Sequence, residues 1–457
     1  MLPTLNAFLE VAVGYVWGLP LVAVLCGTGL LLTILFKGLQ FRGFAHAVAI
    51  VRGCYDDPDD PGQITHFQAL CTALSATVGL GNISGVAVAI HVGGPGATFW
   101  MIATGVLGMM TKFAECSLSI LYRRVDENGE VHGGPMHYIE LGLGPKWKPM
   151  AVFFAFACAF SAVGIGNMFQ THEVAAIFHD SFGIPHIATG IFMAVFAALA
   201  ILGGIKRIAH VTSFLVPFMA VIYIGGALVV ILWNASALPD IFYHIVKDAF
   251  TGTAAQGAFA GIAVRFVIIQ GVKRACFSNE AGLGSAPIAH SAASTKEPIR
   301  EGLVAMLGPF IDTVVVCTMT ALVILVSGVW ASEEANGVTL TAMAFDSCIP
   351  GFGKYFVPIG VLLFAYSTLI SWSYYGERAW DYMFGAKGTI PYRFFYCLLP
   401  VVGALWKLGP LLNLSDILLG LMVIPNLTAV LLMLPRIRKE TKIYFEKLHA
   451  GQFKKHF

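Results

Sequence analysis

Long apolar runs alternate with short polar connections along the whole chain. Runs that approach or exceed the roughly 20 residues needed for a helix to cross a bilayer predict transmembrane spans. Eleven such spans are predicted, at about 9–36, 66–92, 96–121, 149–178, 185–203, 208–233, 257–289, 300–329, 356–383, 391–408 and 413–435. The pattern therefore predicts an all-α polytopic membrane protein, in which residues 1–457 form a single transmembrane domain.

Two of the predicted spans are interrupted by glycines and polar residues. The second carries TVGLGNISG at 77–85, and the seventh carries ACFSNEAGLGSAP at 275–287. Each glycine inside a helix costs about 0.8–1 kcal/mol relative to alanine, so both stretches predict discontinuous helices. The tripeptide GLG alone is weak evidence, because it recurs at 142–144 in a polar connection. Its position inside two long apolar spans is what indicates a break.

The two interruptions lie five spans apart. Once the extra span 9–36 is set aside, spans two to six (66–233) and seven to eleven (257–435) form two sets of five. An odd number of spans places two such copies in opposite orientations, and matching breaks in inverted halves indicate a transporter binding site near the bilayer midplane. Freed backbone amides suit a carboxylate, and freed carbonyls with hydroxyl or amide oxygens suit a hard cation.

The composition narrows the function classes. Only 12% of the residues are charged and the mean hydropathy is +0.77, whereas soluble domains carry about 25% charged residues. Basic residues are scattered over the connections, which argues against a nucleic-acid partner. The cysteines lie mostly in apolar segments without a CxxC pair, as expected of small buried hydrophobic residues. Membrane lipid is the expected surrounding, and no obligatory protein partner is evident.

Lysine and arginine in the connections predict the orientation. With the N-terminus outside, the inner connections and the tail 436–457 hold most of the basic residues, and the outer connections hold only Lys247, Lys354 and Lys407. Cytoplasmic loops are enriched in basic residues. We therefore predict a multi-pass protein of the cell membrane, with its N-terminus outside and its C-terminus in the cytoplasm.

A few basic residues fall inside predicted spans, where a charge is costly unless it is paired or reaches water. Lys112 precedes Glu115 by three residues, and Glu377 directly precedes Arg378, so local pairing is one interpretation. Ion pairs that act as gates are the alternative for the three basic residues crowded into the seventh span, which are Arg265, Lys273 and Arg274.

Three long motifs resemble one family. SATVGLGNISGVAVAIHVGGPGATFWM, FSNEAGLGSAPIAHSAA and FAYSTLISWSYYGERAWDY are similar to segments of the alanine/glycine:cation symporter family, and the resemblance runs through nearly the whole chain. That family belongs to the amino acid–polyamine–organocation superfamily, which shares the LeuT-type 5+5 inverted repeat. The resemblance implies sodium-coupled symport of alanine and glycine by alternating access, with Na⁺ as the coupling ion.

The resemblance assigns roles in the first interruption. It implies that the backbone amides of Gly79 and Gly81 bind the substrate carboxylate. The Thr77 carbonyl and the Asn82 side chain would lie near a sodium position beside the substrate. In the fourth span, Gln170 falls where this fold presents a polar residue to the substrate, although an interhelical hydrogen bond is an alternative for it.

The resemblance also assigns the rest of the substrate pocket. Phe277 would cap it, and Ser278 or Asn279 would offer polar contacts, while Glu280 would bind substrate or hold the broken backbone. Trp372 lies one helical turn after Thr368 and would leave room only for a hydrogen or a methyl group. The alternative for Trp372 is an interfacial anchor.

A sodium site follows from the same comparison. The Ser75 and Val78 carbonyls would face the Phe364 carbonyl and the Ser367 and Thr368 hydroxyls of the ninth span. All are oxygen donors, as a hard cation requires. For the two hydroxyls the alternative is bonding back to their own helix.

Other interpretations stay open from the sequence. Asp312, beside Thr313 in the eighth span, is either a sodium-linked or proton-linked group or a structurally paired one. Proton coupling and a different small amino acid are alternatives to the leading interpretation. A channel or an intramembrane enzyme is disfavoured, since paired breaks suit an occluded site and the sequence suggests no catalytic set.

Overall fold

In the computed structural model, the described residues are 2–127, 129–251, 260–331, 337–406 and 409–455. Within them the chain is predominantly helical, and the named strands are the short antiparallel pair Arg124–Val125 and Val131–His132. The predicted all-α class agrees with this. Three predicted features reach beyond the described residues. They are the seventh span at positions 257–259, the tenth span at positions 407–408, which include the outer-connection residue Lys407, and the tail at positions 456–457.

Seven helices in the described ranges are long and apolar enough to cross a membrane. An eighth span results if the bent pair His66–Thr77 and Gly81–Gly93 is counted as one crossing. The seven are Leu5–Leu35, Pro145–Phe182, Gly204–Trp233, Pro298–Ser327, Phe352–Phe384, Ala386–Leu405 and Gly409–Leu432.

The remaining predicted spans are also helical, but they are shorter or more polar. The helix Gly96–Leu121 contains two charged residues, Lys112 and Glu115. The helix His186–Ile201 has only 16 residues. The helix Ala260–Asn279 is the first part of the seventh predicted span. The count of eleven spans and their division into two inverted sets of five therefore stay predictions.

Helices also lie in stretches that the sequence pattern assigned to connections and the tail. They are Leu39–Arg42, Phe44–Val51, Pro135–Leu143, Leu238–Thr251, Gly337–Cys348 and Leu434–His449. Each is too short or too polar to register as a span, because the apolar-run criterion detects crossings and not interfacial helices.

The first interrupted helix begins and breaks at identifiable residues. Thr65 and Gln68 form a reciprocal capping box at the start of His66–Thr77. Val78 leaves helical geometry at ψ 86°, and the chain resumes as Gly81–Gly93 at an angle of 54° to the first half. The second half opens with a π-helical turn at Gly81–Gly85. The interruption predicted at 77–85 is present.

The second interrupted helix breaks in left-handed backbone. Ala260–Asn279 ends just before Glu280, whose φ is 56°, and Gly282 and Gly284 follow at φ 88° and 84° before the short helix Ala286–His290. Glycine adopts such angles without a steric penalty, whereas a residue with a side chain rarely does. The interruption thus falls at 280–285, inside the predicted stretch.

A freed carbonyl of this second break is bonded by a side chain. Asn426, in Gly409–Leu432, donates from Nδ2 to the Gly282 carbonyl at 2.8 Å and to Glu115 Oε2 at 2.7 Å. Its Oδ1 accepts from the Tyr138 hydroxyl. Buried backbone that leaves helical geometry needs such partners, because hydrocarbon offers none.

Candidate functional site

A small cavity lies where the two interrupted helices meet. It has room for about one water molecule. The predicted site residues in its wall are Thr77, Gly79, Gly81, Gln170, Phe277, Thr368 and Trp372, and the other lining residues are Ala76, Leu80, Ile165, Glu280 and Leu419. Six of the nine predicted substrate residues and one predicted ion ligand therefore come together at this cavity.

Close approach of neighbouring chain segments explains the glycines at the first break. A Cβ atom at Gly79 would lie 2.4 Å from Thr368 Oγ1, and one at Gly81 would lie 3.1 Å from Ser278 Cα. Both distances are too short for a real side chain to occupy without displacement. The glycines therefore let the break contact both the ninth-span helix Phe352–Phe384 and the second interrupted helix.

The Gly79 amide does not meet its predicted role in this arrangement. Its N–H donates to Asn82 Oδ1 at 2.8 Å, so it is available to a carboxylate only after Asn82 moves. The side chain of Asn82 caps the break from within, because a short amide three residues ahead can reach a freed backbone N–H.

Asn82, Ser278 and Asn279 lie outside the cavity wall and turn towards Asp312. Asn82 Nδ2 donates to Asp312 Oδ1 at 2.7 Å, and Ser278 Oγ donates to Asp312 Oδ2 at 2.8 Å. Asn279 Nδ2 donates to the Thr313 hydroxyl at 2.9 Å, and that hydroxyl donates to Asp312 Oδ2 at 2.7 Å. In this arrangement the three side chains are bonded to the Asp312–Thr313 pair, and their predicted roles at the substrate and ion sites stay predictions. Buried polar groups in proteins generally have hydrogen-bond partners.

Gln170 presents an unpartnered acceptor in the cavity wall. Its Nε2 donates to the Ile165 carbonyl at 3.1 Å, across the π-helical turn Gly164–Phe169. Its Oε1 is buried and has no hydrogen-bond partner among the described residues. A buried carbonyl without a donor costs about 1–3 kcal/mol, so this oxygen is suited to accept from a bound N–H group. The alternative of an interhelical bond is absent from these contacts.

Trp372 forms one side of the cavity. Its side chain is only 2% exposed, which excludes the alternative of an interfacial anchor. The indole Nε1 donates to Glu280 Oε1 at 3.0 Å, and a Cβ at Gly166 would lie 2.5 Å from Trp372 Cβ. Phe277 borders the same space. The cavity is therefore narrow because two aromatic side chains face it.

The five predicted sodium ligands converge beside the cavity. Ser367 Oγ lies 3.2 Å from the Ser75 carbonyl, 3.5 Å from the Val78 carbonyl and 2.9 Å from the Phe364 carbonyl. One hydroxyl donates a single proton, so it satisfies only one of these carbonyls at a time. The Thr368 hydroxyl is buried and has no partner in the described structure. An oxygen-rich, donor-poor pocket of this kind suits a hard cation.

Charged residues within the predicted spans are paired more widely than the sequence indicated. Lys112 Nζ lies 3.7 Å from Glu115 Oε1. Glu377 binds both Arg378 at 2.7 Å and Arg393 at 2.6 Å.

In the seventh predicted span, Lys273 lies 3.6 Å from Asp416. Arg274 is half-buried and its Nε has no hydrogen-bond partner in the described structure, whereas Arg265 is exposed. Local pairing at Lys112 and Arg378 is confirmed, and Lys273 pairs with a residue from a different helix.

Sequence reasoning missed the long-range partners of these groups. Asn426 joins Glu115 to the second break, and Glu280 joins that break to Trp372. Asparagine and glutamate inside apolar spans were the available signal, since intramembrane polar residues are functional by default. Which residue each one contacts depends on helix packing, and no local pattern carries that information.

Comparisons with known proteins match nearly the whole chain. Residues 3–457 match the sodium:alanine symporter family. The sodium/alanine symporter AgcS of Methanococcus maripaludis is 46% identical over 94% of this chain and 95% of its own. An uncharacterized transporter of Haemophilus influenzae is 43% identical over 98% of both chains.

A more distant likeness concerns the fold alone. The crystal structure of a mutant of the Eremococcus coleocola manganese transporter superposes with a TM-score of 0.56 at 12% identity. The match covers 82% of this chain and 83% of that one. This match shows a shared fold over the aligned part of the chain.

Proposed function

Because the chain belongs to the sodium:alanine symporter family, we propose that it couples sodium entry to the uptake of alanine and glycine. The observation that carries this proposal is the small cavity at the first break, with the oxygen-rich pocket beside it. Thr368 borders the cavity and belongs to the predicted ion ligands, so the two sites share a side chain.

The substrate would lie with its polar groups against the first break. Its carboxylate would face the Gly81 backbone amide, where a helix restarts and its amide dipoles favour an anion. The Thr77 carbonyl, at the end of the first half-helix, would lie near a sodium position beside the substrate. The Gly79 amide would join after Asn82 releases it. The ammonium group would donate to Gln170 Oε1, which has no other donor among the described residues.

The side-chain end of the pocket favours the smallest amino acids. Trp372 and Phe277 would enclose the space beyond the polar groups, and both line the small cavity. A hydrogen or a methyl group fits such a space with little rearrangement, whereas each added methylene requires an aromatic ring to move. Discrimination by one methylene in an apolar pocket is worth about 10–200-fold.

Sodium would bind between the first interrupted helix and Phe352–Phe384. Its ligands would be the carbonyls of Ser75, Val78 and Phe364 and the hydroxyls of Ser367 and Thr368. These residues fit the ion, because every donor is an oxygen and the Thr368 hydroxyl has no other partner among the described residues. An ion that orders the break also orders the substrate site, so ion and substrate would raise each other's affinity reciprocally.

We propose the predicted architecture as the frame for transport. Eleven spans in a LeuT-type 5+5 inverted repeat, with the N-terminus outside and the C-terminus in the cytoplasm, would place both breaks near the midplane. The interrupted helices would rock against the remaining spans and expose the site to each side in turn.

Uptake into proteoliposomes tests the coupling. An inward sodium gradient should drive accumulation of labelled alanine above its outside concentration, whereas an equal choline gradient should not. An inward proton gradient imposed without sodium forms the second arm. Accumulation driven by protons alone would replace sodium with proton coupling, and equilibration without accumulation under either gradient would contradict symport and favour a channel.

A further inference from the structure

Glu280 is a carboxylate in the cavity wall for which the proposed transport cycle provides no role. Its side chain is 3% exposed, and its backbone adopts φ 56° at the end of Ala260–Asn279. A non-glycine residue in this left-handed region costs about 1–3 kcal/mol, and such strain persists where the surrounding structure holds it for a purpose. Gly282 and Gly284 take similar angles nearby at no cost. The chain therefore retains a carboxylate at a strained position.

Both oxygens of this carboxylate already have donors. Glu280 Oε1 accepts from Trp372 Nε1 at 3.0 Å, and Oε2 accepts from the Ser285 hydroxyl. One contact crosses to the ninth-span helix, and the other holds the break itself. A carboxylate engaged on both oxygens is placed to orient its partners rather than to receive a substrate ammonium.

The indole of Trp372 depends on this contact. An indole offers a single donor, and burying it unpaired costs about 1–3 kcal/mol. Close packing at Gly166 restrains the Cβ end of the side chain, and Tyr375 contacts the ring edge-on at 5.4 Å between centroids. Neither contact satisfies the N–H group, so the hydrogen bond to Glu280 determines which way the ring faces.

We infer that Glu280 is a positioning residue that holds the Trp372 indole across the cavity and so sets the upper size limit of the substrate. The inference rests on the proposed function, since it needs Trp372 to close the side-chain end of the substrate site. It links the second break to selectivity: the residue that ends one interrupted helix orients the ring that excludes larger amino acids.

The test uses two neutral replacements of nearly equal size. Glu280→Gln keeps an oxygen that accepts from the indole, and Glu280→Met removes it. Calorimetry of the purified, sodium-loaded transporter gives the affinities for alanine and for 2-aminobutyrate, which is one methylene larger. The preference for alanine is the ratio of its affinity to that of 2-aminobutyrate. We expect this ratio to fall about tenfold in Glu280→Met, because the indole ring is released, and to stay unchanged in Glu280→Gln.

Controls separate this inference from the pocket assignment. Tyr375→Phe should leave the alanine preference unchanged, because it keeps the ring that contacts Trp372 and removes a hydroxyl that has no hydrogen-bond partner among the described residues. Trp372→Ala should abolish the preference. If Trp372→Ala abolishes it and Glu280→Met keeps it, the positioning role is overturned and the pocket stands. If Trp372→Ala also keeps it, the pocket itself is wrong.

Two further results also test the positioning role of Glu280. An equal loss of affinity for both substrates in Glu280→Gln, with their ratio unchanged, would mean that Glu280 binds the ammonium directly, which overturns the inference. The ¹⁵N-indole resonance of Trp372, assigned with Trp372→Phe, should shift in Glu280→Gln as the acceptor changes from a carboxylate to an amide. This measurement needs only Glu280→Gln and the assignment variant Trp372→Phe to fold, and an unmoved resonance would overturn the inference.

Discussion

Ser367 and Thr368 are neighbours in the sequence, and their hydroxyls stand in different environments. Ser367 Oγ has three carbonyl oxygens within 3.5 Å, from Ser75, Val78 and Phe364. Thr368 Oγ1 is buried and has no hydrogen-bond partner in the described part of the chain. The alternative of bonding back to the helix applies to Ser367 in part, through the Phe364 carbonyl, and does not apply to Thr368.

Removing either hydroxyl should weaken sodium binding. We expect Ser367→Ala and Thr368→Ala each to raise the sodium concentration for half-maximal alanine binding about tenfold, which corresponds to about 1.4 kcal/mol. Each variant deletes one oxygen from the proposed ligand set. Alanine binding measured over a sodium titration gives the shift.

Ser373→Ala is the control for this experiment. Ser373 lies on the same helix, is also buried, and donates to the Ile370 carbonyl of its own helix at 2.6 Å. The sodium dependence of alanine binding in Ser373→Ala should match that of the unmodified protein. An unchanged titration in both Ser367→Ala and Thr368→Ala would place the ion elsewhere.

The polar residues of the two breaks show the limit of prediction at this scale. The motif resemblance predicted that Asn82, Ser278 and Asn279 belong to the substrate site. In the structure these residues lie at the two breaks, and their side chains bond to Asp312 and Thr313 instead of lining the cavity. Side-chain direction depends on which partner is nearest in three dimensions, and no spacing along the chain encodes that distance.

The tail helix Leu434–His449 is the clearest addition at the scale of elements. The sequence predicted only a cytoplasmic tail, whereas the helix contacts the connection before the second span and the residues that lead into the eighth. Tyr444 OH lies 2.8 Å from His46 Nε2, and Lys447 donates to Glu297 at 2.7 Å. The tail therefore links two predicted spans at the ends that we predict to be cytoplasmic.

Acidification should loosen this docking. Burial, with the charges of Arg300 and Lys455, lowers the pKa of His46 to about 4. The rings of Tyr55 and Tyr444 pack against the imidazole, at centroid distances of 5.0 and 5.9 Å. The docked state favours neutral imidazole, so its stabilisation is complete above the ordinary histidine pKa of about 6.5 and declines as pH falls from there towards about 4.

Hydrogen exchange of residues 434–455 at pH 7.5 and 5.5, corrected for the intrinsic rates, measures this effect. We expect less protection at pH 5.5 in the unmodified protein and equal protection at both values in His46→Gln, which does not titrate. A pH effect that persists in His46→Gln would assign it to another group, and protection that is equal at both pH values in the unmodified protein would contradict the prediction.

The two breaks also differ in how well the sequence located them. At 77–85 the helix leaves its geometry at Val78, within the glycine-rich stretch, as predicted. At 275–287 the helix continues through Phe277 and ends at Asn279, because the left-handed angles begin only at Glu280. Glycine content locates a break to within a few residues, and tertiary contacts decide its exact position.

For the whole molecule, the distribution of basic residues makes a further prediction. The inner connections and the tail hold most of the Lys and Arg residues, and such residues are retained in the cytoplasm. A green fluorescent protein fused after residue 457 should fluoresce in intact bacterial cells, because it folds in the cytoplasm. An epitope at the N-terminus should bind antibody on cells whose inner membrane is intact but whose outer barrier is opened.

The reverse fusion pattern would contradict the orientation. A green fluorescent protein fusion that transports normally but does not fluoresce would place the C-terminus outside the cytoplasm. Every connection would then lie on the side of the membrane opposite to the one we predict. Fusion to alkaline phosphatase at the same position is the complementary control, since it is active only outside the cytoplasm.

The sequence by itself determined the membrane class, the helical character, the family and the stretches in which two helices break. These follow from local quantities: the length of apolar runs, the cost of glycine in a helix, and motifs read residue by residue. Tertiary structure alone decided which polar groups meet, such as Glu280 with Trp372, Asn426 with the second break, and His46 with the tail. These contacts join residues far apart in the chain. In an interior without water a polar group must find a partner in space, and the packing of the helices determines which one it reaches.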